Sequence, residues 1–192
     1  MRRTCAAAEE LFVKGNRATS FYKVVSGMVR TYKLLSDGRR QISAFHLPGD
    51  IFGLEPGEDH RFGAEAVSET RLVVHRREPR ALAGEDGALA REVVAAMMRD
   101  LERAQEHMML LGRKSARERI VSFLLALAER TEDDGSVDLP MSRGDMADHL
   151  GLTVESVSRA VTQLERDGLI GLPPNRRMVV IRDAKALARL AG

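Results

Sequence analysis

The longest stretch of the chain without glycine or proline runs from residue 88 to residue 111. Alanine, leucine, methionine, glutamate and arginine dominate it, and these residues have high intrinsic helix propensity. Its apolar residues recur at alternating steps of four and three, which is the pattern of a heptad seam. The members of this seam are Ala90, Val94, Met97, Leu101, Ala104, Met108 and Leu111. We therefore predict one long helix whose seam needs an apolar partner.

Two partners for this seam are possible: the same helix of a second copy, or the N-terminal part of the same chain. Val93 and Met98 lie on other faces of the helix and are available for packing within the chain. We therefore predict a homodimer whose interface consists of the seam residues Val94, Met97, Leu101, Ala104, Met108 and Leu111.

The segment before the long helix, up to about residue 82, is interrupted repeatedly by glycine and proline. Between the interruptions lie short runs rich in β-branched and aromatic residues, at 21–25, 28–35, 41–45, 65–67 and 71–74. Residues 36–39, Ser-Asp-Gly-Arg, are typical of a hairpin turn. Short strands at this spacing predict a β-barrel or sandwich.

The segment after the long helix is predicted to be mainly helical. Gly112 is expected to end the long helix, and a second amphipathic helix is expected over 115–130. Ser142, with Asp145 three residues later, indicates the start of a further helix. Gly151 fits the end of that helix, and Thr153 fits the N-cap of the next one. Two helices joined by a short glycine-containing turn form a helix-turn-helix unit.

The second helix of this unit carries a polar stripe. Glu155, Ser158, Arg159 and Thr162 are spaced i, i+3, i+4 and i+7, so they share one side of the helix. The major groove of DNA admits one α-helix, whose N-terminal residues meet the base edges. Arg159 can bind guanine through two bonds, Glu155 can accept from cytosine, and Ser158 can serve either base. The alternative is a solvated helix face with an ordinary ion pair between Glu155 and Arg159.

A hairpin over 169–172 and 178–181, with its turn at 173–176, follows the second helix and favours the DNA interpretation. Arg176 and Arg177 lie at or beside its tip, where they can contact phosphates or a minor groove. Ser142, Thr153 and Thr162 are the other predicted backbone contacts. Residues 153–192 carry seven cations against four anions, whereas the whole chain has a formal net charge of only +2. The positive charge is therefore local rather than general.

Composition and motifs exclude several classes of protein. Cys5 is the single cysteine, so one chain can form neither a disulfide framework nor a four-thiolate cluster. No catalytic motif occurs in a matching context, and an enzyme is not expected. The chain has neither a long apolar run for a membrane span nor a secretory signal, so we expect a cytoplasmic bacterial protein without membrane contact. We expect Cys5 to lie near a mobile end, and we favour a structural role for it over a redox role.

Taken together, these segments resemble the cyclic-AMP receptor and fumarate-nitrate regulator (CRP/FNR) family. Residues 141–159 are similar to its DNA-binding signature, 21–30 and 48–53 to its β-roll, and 114–120 to the helix entering its DNA domain. The resemblance covers nearly the whole chain in the expected order. It implies an α+β fold, with a β-roll of jelly-roll type at 1–82, a dimerisation helix at 83–111 and a winged helix-turn-helix domain at 112–192.

Within the family, residues 53–58 and 64–68 are most similar to the FixK branch, whose members switch on genes for microaerobic respiration and nitrogen fixation. The resemblance implies a homodimeric activator that recruits RNA polymerase and binds palindromic double-stranded DNA. It also implies that Glu155, Ser158 and Arg159 read TTGAT-type half-sites. A segment that usually precedes the first strands in this family is expected to be missing.

The departures from the family pattern concern the effector. The cyclic-AMP branch holds its nucleotide with a Gly-Glu and an Arg-Ser pair, whereas this chain has Gly-Leu-Glu at 53–55 and Val-Ser-Glu-Thr at 67–70. The oxygen-sensing branch needs four cysteines, and the five histidines are scattered. We therefore expect no cyclic AMP, metal, haem or other cofactor. The alternative is a regulator whose β-roll binds a nucleotide, haem or small molecule.

Overall fold

The structure, a computed structural model, describes residues 1–77, 87–131, 135–173 and 177–192. It divides into two compact units, Met1–Gln105 and Glu106–Gly192. The first unit is built mainly of strands and the second mainly of helices, which confirms the predicted α+β class. The expected domain boundary between residues 82 and 83 lies outside the described residues.

The described residues form strands and helices that we number in chain order. The strands are β1 (Arg2–Cys5), β2 (Glu10–Phe12), β3 (Ser20–Ser26), β4 (Val29–Leu34), β5 (Arg40–His46), β6 (Ile51–Phe52), β7 (Gly63–Ala66), β8 (Thr70–Arg76), β9 (Ser136–Asp138), β10 (Ile170–Gly171) and β11 (Met178–Ile181). The helices are α1 (Ala88–Arg113), α2 (Ala116–Arg130), α3 (Arg143–Leu150), α4 (Val154–Arg166) and α5 (Ala184–Ala191).

The strands of the first unit form two antiparallel sheets, in the orders β1-β8-β3-β6 and β2-β7-β4-β5. All five predicted strands are present, as β3, β4, β5, β7 and β8. Side chains from both sheets share one core, in which Tyr22 stacks on Phe12 at 5.6 Å and on Phe52 at 5.3 Å between ring centroids. The predicted sandwich is therefore closed by large apolar side chains facing inward.

Cys5 lies within this core and not at a mobile end, so that expectation is wrong. Strand β1 pairs with β8 along its whole length, from Arg2 opposite Val73 to Cys5 opposite Thr70. The side chain of Cys5 is fully buried, and burial raises the pKa of its thiol. Because the thiolate is the reactive form, this environment disfavours oxidation of Cys5 as a control of activity.

Helix α1 packs on the first sheet through one face. Val93 and Ala96 are buried against Phe21 and Ile51. Two ion pairs join the same face of the helix to residues of the β domain. Glu92 pairs with Lys23, and Arg103 Nη1 lies 2.9 Å from Asp50 Oδ1. The packing that we expected from Met98 is absent, because its side chain is 62% exposed on the opposite side of the helix.

The second unit begins within α1, and Gly112 does not end the helix as predicted. Glycine costs about 1 kcal/mol in a helix interior but does not by itself break it. The helix continues to Arg113, and α2 then starts at a capping box formed by Ser115 and Glu118. The hydrogen bond from Ser115 also lowers the pKa of the Glu118 carboxyl.

The second unit combines helices α2 to α5 with a small antiparallel sheet of order β10-β11-β9. The predicted inner face of α2 is confirmed, since its apolar residues are buried: Ile120, Phe123, Leu124 and Leu127. Strand β9 and helix α5 were not predicted. Val137 of β9 and Leu187 of α5 are fully buried, so both elements complete the core of this unit.

Gly27 and Gly38 offer a matched pair of substitutions, since both have φ of +83°. A Cβ at Gly27 would lie 2.6 Å from Thr70 Oγ1 and closer still to the carbonyl oxygen of Glu69, whereas a Cβ at Gly38 meets nothing within 4 Å. We expect Gly38→Ala to cost about 1 kcal/mol of backbone strain, and Gly27→Ala about 3 kcal/mol or more. Urea unfolding of both variants measures the difference; equal losses would contradict the close approach at Gly27.

Candidate nucleic-acid interface

Helix α3 starts at a complete capping box. Ser142 Oγ accepts a hydrogen bond from the backbone N–H of Asp145 at 3.0 Å, and a carboxylate oxygen of Asp145 accepts from the backbone N–H of Ser142 at 3.0 Å. The predicted helix start is therefore confirmed. Met146, Ala147 and Leu150 point inward, as expected, and all are buried.

The turn between α3 and α4 depends on Gly151. Its backbone is left-handed, with φ 62° and ψ 42°, and its N–H bonds to the carbonyl oxygen of Ala147. Thr153 then caps α4, because its Oγ1 accepts from the backbone N–H of Ser156 at 3.1 Å. Both predicted cap positions are confirmed, and together they set the direction in which α4 leaves the turn.

Helix α4 has one apolar face and one polar face. Val157, Val161 and Leu164 are buried and hold the helix on the core, while Ala160 is half-buried. The opposite side carries the predicted stripe, whose members are all exposed: Glu155, Ser158, Arg159 and Thr162. Within the described part of this unit, the outer side of α4 therefore faces solvent over about two turns.

The charged members of the stripe contact each other. The guanidinium of Arg159 forms an i, i+4 ion pair with the Glu155 carboxylate, and their side chains are 78% and 70% exposed. An exposed pair of this kind contributes only about 0.3–0.5 kcal/mol, so a competing partner displaces it easily. The pair holds Arg159 over the start of the helix without locking it there.

A shallow cleft of about 440 Å³ lies beside the stripe. Ser158 and Thr162 line it from α4, Ser142 and Arg143 from the start of α3, and Arg177 from the edge of β11. Four of these five residues were predicted to contact DNA, and the structure brings them to one place. Sequence reasoning missed Arg143, although its position directly after an N-cap was a usable signal.

The lining of this cleft suits an anion, because it includes two arginines, Arg143 and Arg177, and three hydroxyl-bearing residues, Ser142, Ser158 and Thr162. Apolar residues from three segments complete the lining: Leu139, Met141, Val161 and Leu172. The backbone of a DNA strand alternates charged phosphates with less polar sugars. A cleft lined by arginines, hydroxyls and apolar side chains can contact both.

The predicted wing is present as the β10–β11 hairpin, with Ile170 opposite Ile181 and Gly171 opposite Val180. Strand β9 adds a third strand on the other side of β11. Arg177 is exposed directly before β11, and its carbonyl oxygen accepts from the backbone N–H of Leu139. Arg176, at the predicted tip, lies outside the described residues.

Two histidines of the second unit stack on each other. The ring of His107 stacks on that of His149 at 4.2 Å between centroids, and Phe123 contacts His149 at 5.5 Å. Burial lowers the pKa of His107 and favours its neutral form. These rings therefore pack the end of α1 against α3 as an aromatic cluster.

A second candidate surface is an exposed apolar stripe on α1. Four of the predicted seam residues have side chains more than half exposed: Val94 (58%), Met97 (54%), Leu101 (52%) and Met108 (65%). Ala104 is also exposed, while Leu111 is half-buried beside Gly151. Met98 and Met109 widen the stripe, and both are more than 60% exposed.

Among the residues that the structure describes, no three His, Cys, Asp or Glu side chains converge in a way that could hold a metal ion. None of the helices in those ranges is long and apolar enough to cross a membrane.

Comparison with known proteins connects both units to one family. Residues 2–80 match the model of the cyclic nucleotide-binding domain, and residues 118–190 match that of the Crp-like helix-turn-helix domain. The chain is 54% identical over 191 residues to the nitrogen fixation regulation protein FixK of Azorhizobium caulinodans, covering 96% of this chain and 77% of that protein. It is 42% identical to FixK of Rhizobium meliloti, covering 93% of this chain and 82% of that protein.

A solved structure agrees with these sequence relatives. FixK2 from Bradyrhizobium japonicum superposes with a TM-score of 0.92 at 45% identity, covering all of this chain and 97% of that one. The relatives are transcription regulators, and the shared helix-turn-helix is a DNA-binding domain. The chain therefore belongs to the CRP/FNR family of transcription regulators, as a FixK-like member.

Proposed function

We propose that this chain is a homodimeric, sequence-specific activator that reads palindromes of TTGAT-type half-sites and recruits RNA polymerase without a bound effector. Its proposed targets are genes of microaerobic respiration or nitrogen fixation, and the names of two relatives, both nitrogen fixation regulation proteins, support the second group. The observation that carries the proposal is the exposed stripe of Glu155, Ser158 and Arg159 at the start of α4, beside a cationic cleft.

In this proposal the stripe enters the major groove. The fork of Arg159 binds guanine O6 and N7, and Glu155 accepts a hydrogen bond from a cytosine amino group. The ion pair between them holds both side chains near the helix start before DNA arrives. The weakness of this exposed pair is useful here, because the bases must replace it. Ser158 completes the set of base readers from the next turn of the helix.

The phosphate contacts are assigned to the residues around the cleft. Thr162 and Arg177 face it directly, and Arg143 joins them as a third candidate. The hydroxyls of Ser142 and Thr153 already take part in helix caps, so a phosphate bond through either one requires an exchange of hydrogen bonds. Arg176 is proposed to act with Arg177 from the wing.

The exposed apolar stripe on α1 supports dimerisation. Side chains of valine, leucine and methionine lose hydration there when they meet a second copy, which stabilises the dimer. A two-fold axis along α1 would repeat the recognition helix at a spacing of about 34–36 Å, one turn of DNA. The operator should therefore be a palindrome.

Effector independence is supported by the contacts of Glu55, which stands where the cyclic-AMP branch uses its Gly-Glu pair. Its side chain is only 6% exposed, and its carboxylate accepts from the backbone N–H of Arg61 at 3.2 Å and from Arg61 Nε at 3.0 Å. His60 Nδ1 lies 3.5 Å away. This carboxylate is therefore satisfied within its own loop and needs no ribose hydroxyl.

Base reading is tested by Arg159→Ala, with Arg177→Ala as the comparator. We expect Arg159→Ala to lose about 1–3 kcal/mol on a TTGAT palindrome and to relax the choice at one guanine. Arg177→Ala should weaken all sequences about equally and reduce the salt dependence by one phosphate contact. Titration of operator and scrambled duplexes at several salt concentrations measures both effects. Unchanged discrimination in Arg159→Ala would refute the groove assignment.

Dimerisation is tested by Leu101→Glu, with Glu102→Ala as a control on the same helix. The new carboxylates would face each other at the centre of the seam, so we expect a monomer that keeps its helical content. Sedimentation equilibrium gives the mass, and circular dichroism gives the fold. A monomeric parent protein, or a Leu101→Glu variant that stays dimeric, would rule out this interface.

Effector independence is tested on the purified full chain. We expect its affinity for the palindrome to be the same with and without saturating cyclic AMP, since Glu55 is already paired with Arg61. Calorimetry with cyclic AMP and an absorption spectrum accompany the DNA titration. A binding heat coupled to tighter DNA binding, or a Soret band in the pure protein, would favour the effector-dependent alternative.

A further inference from the structure

Arg119, in the first turn of α2, binds four backbone carbonyl groups. Its Nε donates to Lys114 O at 2.9 Å, and its Nη2 donates to Leu111 O at 2.9 Å. Its Nη1 donates to Leu150 O at 2.9 Å and to Gly151 O at 3.4 Å. A guanidinium has five N–H donors in a fixed plane, so most of this fork is committed to the backbone.

The acceptors belong to the ends of two different helices. Leu111 lies in the last turn of α1, and Leu150 is the final residue of α3. Carbonyl groups at helix C-termini have no partner within the helix, and the helix dipole is negative there. One cation therefore caps both helices at once, and all of these residues lie within the second unit.

The same guanidinium lies against the turn of the helix-turn-helix. A Cβ placed on Gly151 would be 3.5 Å from Arg119 Nη1 and 3.5 Å from Leu111 Cδ2. The turn and the end of α1 therefore lie close together, with the guanidinium of Arg119 bonded to both. Any rotation of α3 relative to the last turn of α1 must break hydrogen bonds to Arg119.

We propose that Arg119 is a positioning residue that sets the spacing of the two recognition helices in the dimer. It does so by joining the last turn of α1, where the seam ends at Met108 and Leu111, to the turn from which α4 departs. This inference rests on the proposed dimeric function. Arg119 itself contacts no base in this scheme; it determines where the base-reading side chains stand.

A lysine at this position would keep the charge but not the geometry. Its ammonium is a single point with three donors, so it cannot reach the ends of both helices as a planar fork does. Arg117 provides the matched comparator. It lies in the same turn of α2, but its ion-pair partner is Asp167 at the end of α4, and its side chain is 40% exposed.

The experiment measures how binding depends on half-site spacing. The parent chain, Arg119→Ala, Arg119→Lys and Arg117→Ala are titrated with three kinds of duplex: a single TTGAT half-site, the palindrome with half-sites about one helical turn apart, and palindromes lengthened or shortened by two base pairs. We expect the preference for the natural spacing to fall about tenfold in both Arg119 variants, since couplings between two sites are typically of this size. Their half-site affinity should stay within about twofold of the parent, and Arg117→Ala should keep the parent's spacing preference.

Each other outcome has a distinct meaning. If the Arg119 variants weaken half-site and palindrome binding equally and keep the spacing preference, Arg119 merely stabilises the fold and the proposal is overturned. If Arg119→Ala does not fold, Arg119→Lys decides: full spacing preference in that variant overturns the proposal. If the parent chain binds the palindrome no better than a half-site, the proposed dimeric function fails instead.

Discussion

At Gly151 the backbone turns left-handed, and the direction of α4 follows from this single conformation. A side chain there would be strained at φ 62°, although its Cβ would make only ordinary van der Waals contact with Arg119 and Leu111. The caps at Ser142 and Thr153 fix the starts of the two helices on either side of this turn. The exposed stripe on α4 and the cleft beside it therefore depend on a turn of a few residues that leaves little freedom.

Helix α1 has one face that packs within the chain and an opposite face that is exposed and apolar. The face toward the first sheet buries small side chains, Val93 and Ala96, and is reinforced by ion pairs with Lys23 and Asp50. The opposite face leaves larger apolar side chains in solvent, such as Leu101 and Met108. A helix that keeps its largest apolar residues outside and its smaller ones inside is suited to association, because more apolar area is available for burial between chains than within one.

The β-roll is stabilised by aromatic packing and by buried polar groups that form hydrogen bonds within the chain. Aromatic rings fill the space between its sheets, and the buried carboxylate of Glu55 is bonded to the loop that carries Arg61. Thr70 is fully buried, and its hydroxyl donates to the carbonyl oxygen of Ser68 at 2.8 Å while accepting from the backbone N–H of Met28. Polar groups that are satisfied in this way gain little from an added ligand, which agrees with the effector-independent regulator proposed here.

The amino-acid sequence by itself determined the long helix, five strands of the β-roll, the caps of the helix-turn-helix and the exposed stripe of Glu155, Ser158, Arg159 and Thr162. These features depend on residues within a turn or two of one another, so periodicity and capping patterns encode them directly. Only the tertiary structure decided the pairing of β1 with β8, the continuation of α1 through Gly112, the place of Arg143 in the cleft and the four bonds of Arg119. Those features join residues that are far apart in the chain, or they depend on where a neighbouring element ends. Local sequence patterns do not encode them, because the contacts form only when the chain folds.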